Sequence, residues 1–133
     1  MSVELKMLVW SCVLLFLLVI IQATASSRKH GFKTLAGNRG QLGPPGEFEA
    51  RAKRLVANHI ENLMIFAPLL LAAVAMQITG RHTAQAATLF FWGRLAHAAI
   101  YLAGIPWVRT VAFVVSTVGL VVLILVDLHV ITP

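Results

Sequence analysis

At 133 residues, 59% hydrophobic and only 12% charged, with a mean hydropathy of +0.84, the chain lies outside the range of soluble globular domains. Its net charge of +6 is not the footprint of a nucleic-acid binder, because no aromatic-basic surface motif accompanies the cations. The composition fits an all-α membrane protein. Four apolar stretches, at about 7–26, 55–79, 84–105 and 108–130, each supply roughly the ~20 residues a helix needs to cross the hydrocarbon. Together they take up a single membrane domain, 1–133, expected to be a bundle of four transmembrane helices.

The first stretch follows Lys6 and ends in the small residues Ala23-Thr24-Ala25, which imitates a secretory signal. Its apolar run is long for a signal, and Arg28 and Lys29 follow at once, so a retained helix is expected. Cys12 is the only cysteine, which excludes an intramolecular disulfide, and a small buried hydrophobe is its expected role.

Residues 27–50 hold five of the nine glycines and the Pro44-Pro45 pair, so they read as a turn-rich connector. Arg28, Lys29, Lys33, Arg39, Arg51, Lys53 and Arg54 lie between the first two apolar runs, and Arg109 lies in the last short connection. The opposite side would hold only Lys6 and Arg81. The positive-inside rule therefore puts the first loop in the cytoplasm and both termini outside. Glu47 and Glu49 suit the first turn of a helix, where the macrodipole is positive, and the helical pattern runs from there into the second span.

On that helix Arg51, Arg54, Asn58 and Glu61 fall within an arc of roughly 80°. A carboxylate at mid-bilayer costs ~2.5–3.5 kcal/mol on insertion scales, so such a stripe faces a partner or a wet cavity. An Arg54–Glu61 network that fixes helix packing is one reading. A binding site is the other, and Asn58 favours it by adding amide groups that charge neutralisation does not need. His59 and Asn62 point off the stripe and are assigned to packing or interfacial roles.

The third span carries Arg94, His97 and Tyr101 within roughly 60° of one another. One histidine on this stripe, with Glu61 on another helix, is no metal-ligand cluster, so no metal site is expected. Gly93 and Ala96 permit close approach of another helix. Trp107 suits the interfacial belt, and Arg109 and Thr110 open the last span on the same side as Arg51 and Arg54. Asp127, near the far end of that span, is expected to be solvated at the opposite surface. Three helices thus bring arginines, a carboxylate, an amide and a phenol toward one pocket. That set suits a small zwitterion with excess negative charge: guanidinium forks match carboxylates, Glu61 matches an ammonium, and a cation beside a thiol favours the thiolate.

The series R-x-x-R-x-x-x-N-x-x-E-N at 51–62, G-R-x-x-H-x-x-x-Y at 93–101 and Arg109 resembles the membrane-associated proteins in eicosanoid and glutathione metabolism. The G-N-R of 38–40 and Pro44-Pro45 look like the first loop of bacterial members, which implies a bacterial inner membrane. The resemblance implies a homotrimer of four-helix protomers with glutathione between neighbouring subunits. Arg51, Arg54, Asn58, Glu61, Arg94, His97 and Tyr101 would then form the glutathione-binding set, with Arg109 and Thr110 at the thiolate. The implied activity is that of a glutathione transferase or glutathione-dependent peroxidase acting on lipophilic electrophiles that arrive through the bilayer lipids. A non-catalytic lipid-binding or scaffold member is the alternative. The family's synthases have an arginine at the end of the first helix, where this chain has Gln22, Ala23 and Thr24, with Arg28 about a turn later. Ala57 also stands where the prostaglandin synthase has arginine.

Overall fold

Helix ends in this chain are set by recognisable local chemistry. In the computed structural model, which describes the backbone of residues 1–133 and every side chain but that of Gln41, five α-helices form. They are α1 (Val3–His30), α2 (Phe32–Ala36), α3 (Glu47–Ala75), α4 (Arg81–Ala103) and α5 (Pro106–Asp127). Ser2 Oγ accepts the Leu5 N–H at 3.3 Å and caps α1. Gly104, at φ 79° and ψ 21°, ends α4 in the left-handed region that glycine tolerates, and Pro106 starts α5 with a preset φ. Arg39–Gln41 adds one 3-10 turn between α2 and α3.

The four long helices run alternately up and down. At one end Glu4 of α1 meets Thr83 of α4, whose hydroxyl lies 2.9 Å from the carboxylate, and His82 Nδ1 lies 2.8 Å from the Thr132 carbonyl. At the other end lie the first loop and the α4–α5 turn. The core has two apolar clusters. Phe66 and Phe90 stack at 3.9 Å within the one that joins α3, α4 and α5, and Leu14, Leu18, Leu55 and Val56 anchor the one between α1 and α3. Outside, the pattern is inverted relative to a soluble protein: Trp10, Phe16 and Leu17 of α1 and Val111, Val114 and Val118 of α5 are exposed, and Cys12, expected to be buried, is exposed on the same outward face of α1 as Phe16, one turn on.

Three helices, α1, α3 and α5, are long and apolar enough to cross a membrane. α4 is not among them, which departs from the expectation that all four apolar stretches read as spans. Its 23 residues suffice in length, but Arg81, His82, Gln85, Arg94 and His97 lower its apolarity. Arg94 and His97 are buried against the neighbouring helices. The closest backbone approach of α4 is to α5. A Cβ on Gly93 would come within 2.7 Å of the Ser116 backbone nitrogen, and one on Gly119 within 2.6 Å of the Ala86 carbonyl oxygen. Small residues therefore let the two backbones touch.

The first helix also runs further than its apolar stretch, into the segment expected to be loop. The reason is a polar cluster around Glu49, which is 3% exposed. Ser26 Oγ donates to Glu49 Oε1, His30 Nε2 lies 3.1 Å from Oε2, and Lys53 Nζ lies 3.0 Å from Oε1. The Gly46 N–H closes the cluster at 3.4 Å. Arg28, Lys29 and His30 in the last turn of α1 also suit the negative end of its macrodipole. Arg28 consequently sits on the helix and lines a cleft with Phe48, whose ring lies 6.0 Å from the Arg51 guanidinium carbon.

Glu49 precedes the membrane-spanning part of α3. The Ser26 hydroxyl, followed by Lys53 and the Gly46 amide, outweighs its burial and lowers its pKa from the ordinary 4.5 to about 2. A depressed carboxylate pKa contributes stability above pH 4.5 that is lost as pH falls toward 2. Thermal unfolding in detergent is therefore expected to show a falling midpoint over that window, and Glu49→Gln is expected to flatten the fall. Gly119→Leu should push α4 from α5 at a cost of about 1–3 kcal/mol, read as a lower melting midpoint, whereas Val118→Leu on the exposed face should leave it unchanged.

Candidate functional site

Polar side chains of α3, α4 and α5 meet at the first-loop end in two connected layers. The inner layer centres on Arg94, which is fully buried. Its Nη2 donates to Asn58 Oδ1 at 2.8 Å and its Nε to His59 Nδ1 at 3.4 Å. Since His59 Nδ1 accepts, the ring proton resides on Nε2, which donates to the Ser11 carbonyl at 3.2 Å. One guanidinium thus ties α4 to α3 and, through His59, to α1. Ser11 permits this approach because it is small and turns its hydroxyl back to the Met7 carbonyl at 2.7 Å.

Arg94 has no acceptor atom to offer, so it consumes the side-chain oxygen Oδ1 of Asn58 and leaves the Asn58 NH2 as the donor end. Arg94 Nη1 is buried without a hydrogen-bond partner among the described residues. Asn62 Nδ2 donates to the Asn58 carbonyl at 2.8 Å and stiffens the same turn.

The outer layer centres on Tyr101. Arg54 Nε donates to its hydroxyl at 3.2 Å, and the Arg109 guanidinium carbon lies 5.2 Å from its ring centroid. Arg54 and Arg109 are exposed, Tyr101 is half-buried, and neither arginine has a carboxylate partner among the described residues. His97 sits behind Tyr101, with ring centroids 5.5 Å apart, and packs 6.2 Å from Phe113. It is 5% exposed, and its Nδ1 has no described partner.

Arg51 reaches the same end from α3. Its Nη1 holds Glu47 at 2.7 Å and would lie 3.4 Å from a Cβ on Gly104. Glu61, two turns beyond Arg54 on α3, is exposed and has no ion pair among the described residues, so the Arg54–Glu61 packing network does not form within one chain. Thr110 is exposed beside Arg109, and no hydrogen bond of its side chain occurs among the described residues.

The stripe on α3 and the stripe on α4 therefore do converge, but at different depths. Arg54, Tyr101 and Arg109 make the accessible group, with Arg51 beside it. Asn58 joins that group to the interior pair Arg94 and His97, while Glu61 and Thr110 stay at its edges. His59, expected in a packing or interfacial role, is the relay between α1 and Arg94, which its place off the stripe does not signal. Asp127 was expected in solvent, whereas both its carboxylate oxygens are shielded and lack a partner among the described residues. The Glu49 cluster was missed too. The i,i+4 pairs Ser26/His30 and Glu49/Lys53 were its only sequence signal.

These features define a helical membrane protein with a cationic site at one end of its helices. A family comparison makes this specific: the MAPEG family model matches residues 7–128, and the chain belongs to the MAPEG family. Comparisons with curated proteins and with solved structures give no match.

Removing the Asn58 acceptor while keeping its shape separates the two layers. Asn58→Leu leaves a second buried arm of Arg94 without a partner and is expected to cost about 1.5–3 kcal/mol, measured as thermal destabilisation in detergent. Asn58→Asp, which keeps the acceptor, should retain most of the stability.

Proposed function

We propose that the chain is a bacterial-type, four-span membrane protein that assembles as a homotrimer and binds glutathione at the Arg54, Tyr101 and Arg109 cluster. In this reading α4 is the fourth span, and its polar groups are tolerated because they face protein. The positive-inside rule places the first loop in the cytoplasm of a bacterial inner membrane. One observation carries the ligand assignment. Two guanidinium groups converge on one phenol with no carboxylate among their described partners. Like charges brought together at a low-dielectric boundary favour an anion between them.

The residues fit glutathione group by group. Arg51 and Arg54 offer forks for its carboxylates, and Glu61, without an ion-pair partner of its own, offers an anion for its ammonium. Asn58, oriented by Arg94, donates through its NH2 to a carbonyl or carboxylate oxygen. Tyr101 and His97 form the wall behind. Arg109, with Thr110 next to it, is placed to stabilise a thiolate, which is the reactive form of the thiol.

Membership of the MAPEG family, which includes glutathione transferases and peroxidases, supports a reaction with a lipophilic electrophile delivered from the bilayer. Arg109 holds the sulfur as thiolate, the sulfur forms a bond to an electrophilic carbon, and the leaving group departs with its electron pair. With a hydroperoxide, two thiols are oxidised to a disulfide while the O–O bond is reduced to alcohol and water. The second reading is a lipid-binding member without turnover, favoured by Gln22, Ala23 and Thr24 where the synthases have an arginine.

Titration of glutathione into the purified protein, followed by heat and by ultraviolet thiolate absorbance, tests the reading. Wild type is expected to bind and to yield thiolate. Glu61→Gln should weaken binding by about tenfold, the scale of one charge-assisted hydrogen bond. Arg109→Ala should raise the bound thiol pKa by about one unit, and an unchanged thiolate yield would remove Arg109 from this role. No heat at millimolar glutathione from folded protein would overturn the ligand assignment. Binding without turnover of any electrophile would favour the lipid-binding reading.

A further inference from the structure

A second polar feature lies on the opposite side of α3 and is not used by the glutathione reading. Glu49 and Lys53 point roughly 140° around the helix from the middle of the Arg51, Arg54, Asn58 and Glu61 stripe. They border a cavity of about 400 Å³ between α1, α2 and the start of α3, within the size range of small-molecule sites. The cavity follows α1 from Val19 to Ser27, about 12 Å of helix. It therefore begins in the apolar run of α1 and ends among the cations of the first loop.

Its lining combines two chemistries. Val19 and Ala23 of α1 and Leu35 of α2 give apolar walls. Gln22, Ser27 and Arg39 add polar groups among them. Lys53 is already bound to Glu49, which leaves Arg39 as the cation whose charge is uncompensated among the described residues. Arg39 Nε donates to the Leu35 carbonyl at 3.1 Å, which fixes the guanidinium against α2, and among the described residues no hydrogen-bond partner takes its terminal nitrogens, which are left for an anion. An apolar trough that opens onto an anchored guanidinium at the bilayer boundary matches one acyl chain with an anionic headgroup.

We infer that this cavity binds an anionic glycerophospholipid, one acyl chain along Val19, Ala23 and Leu35 and the phosphate at Arg39. Bound there, the lipid would bridge α1, α2 and the Glu49 cluster, so the first loop would be held down by a ligand as well as by Glu49. The inference does not depend on glutathione.

Native mass spectrometry of the detergent-purified full chain, titrated with phosphatidylglycerol or with phosphatidylcholine of the same acyl chains, tests it. Wild type is expected to retain phosphatidylglycerol about fivefold better, the effect of one basic side chain on an anionic lipid. Arg39→Gln, on an exposed loop position, should bring the two lipids to parity. Ala23→Trp, an exposed position that would fill the trough, should lose both adducts while circular dichroism shows unchanged helicity. Parity in wild type, an unchanged preference in Arg39→Gln, or full retention by Ala23→Trp would overturn the inference. So would a changed subunit number in Ala23→Trp with lipid retained, which would assign the cavity to contact between copies. Displacement of the lipid by inorganic phosphate alone would overturn the acyl-chain half and leave a simple phosphate site.

Discussion

The buried guanidinium of Arg94 is the constraint on which the rest of this structure depends. Taking a charge out of water costs several kcal/mol even after relaxation, and no carboxylate lies beside it among the described residues to offset that cost. The compensation comes from neutral acceptors. Asn58 Oδ1 and His59 Nδ1 take two of its N–H groups, and His59 passes the constraint to the Ser11 carbonyl of α1. These bonds fix the rotation of α3 relative to α4. With that rotation set, Arg54, about one turn before Asn58, meets Tyr101, about two turns beyond Arg94. The interior hydrogen bonds and the accessible arginines are thus one arrangement read at two depths.

Charge is distributed to match. Eight of the 11 lysines and arginines lie at the first-loop end, where Glu47 and Glu49 are the acidic residues. Both glutamates are already committed, Glu47 to Arg51 and Glu49 to Lys53 with Ser26 and His30. Arg54 and Arg109 on one side of α3, and Arg39 on the other, remain without acidic partners among the described residues. Two anion-seeking regions result, separated by the helix that both of them border. One faces a phenol and an amide and suits a small polar molecule. The other faces an apolar trough and suits a lipid.

Much of this was legible in the sequence because it depends on short-range period. The 100° rotation per residue puts Arg51, Arg54, Asn58 and Glu61 on one stripe, and the acidic pair Glu47 and Glu49 marks the start of α3. What the period cannot give is which stripe faces which partner, because that follows from long-range packing. Hence His59, off the stripe, is the inner relay, and His97, on the stripe, lies behind Tyr101. The extension of α1 was hidden for the same reason: its cause is Glu49, 23 residues from Ser26. The mixed character of α4 has two sources: Arg81 and Gln85 are exposed at its start, and Arg94 is buried where Asn58 and His59 supply acceptors that hydropathy does not register.

The central claim is that glutathione occupies the space before Tyr101, between Arg54 and Arg109. A cryo-electron microscopy map of the protein in a lipid nanodisc with saturating glutathione tests that claim most directly. The account predicts three copies around an axis, with ligand density whose sulfur lies against Arg109 and whose carboxylates reach Arg51 and Arg54. Glutathione density elsewhere, or lipid density over Tyr101 with glutathione absent, would contradict it.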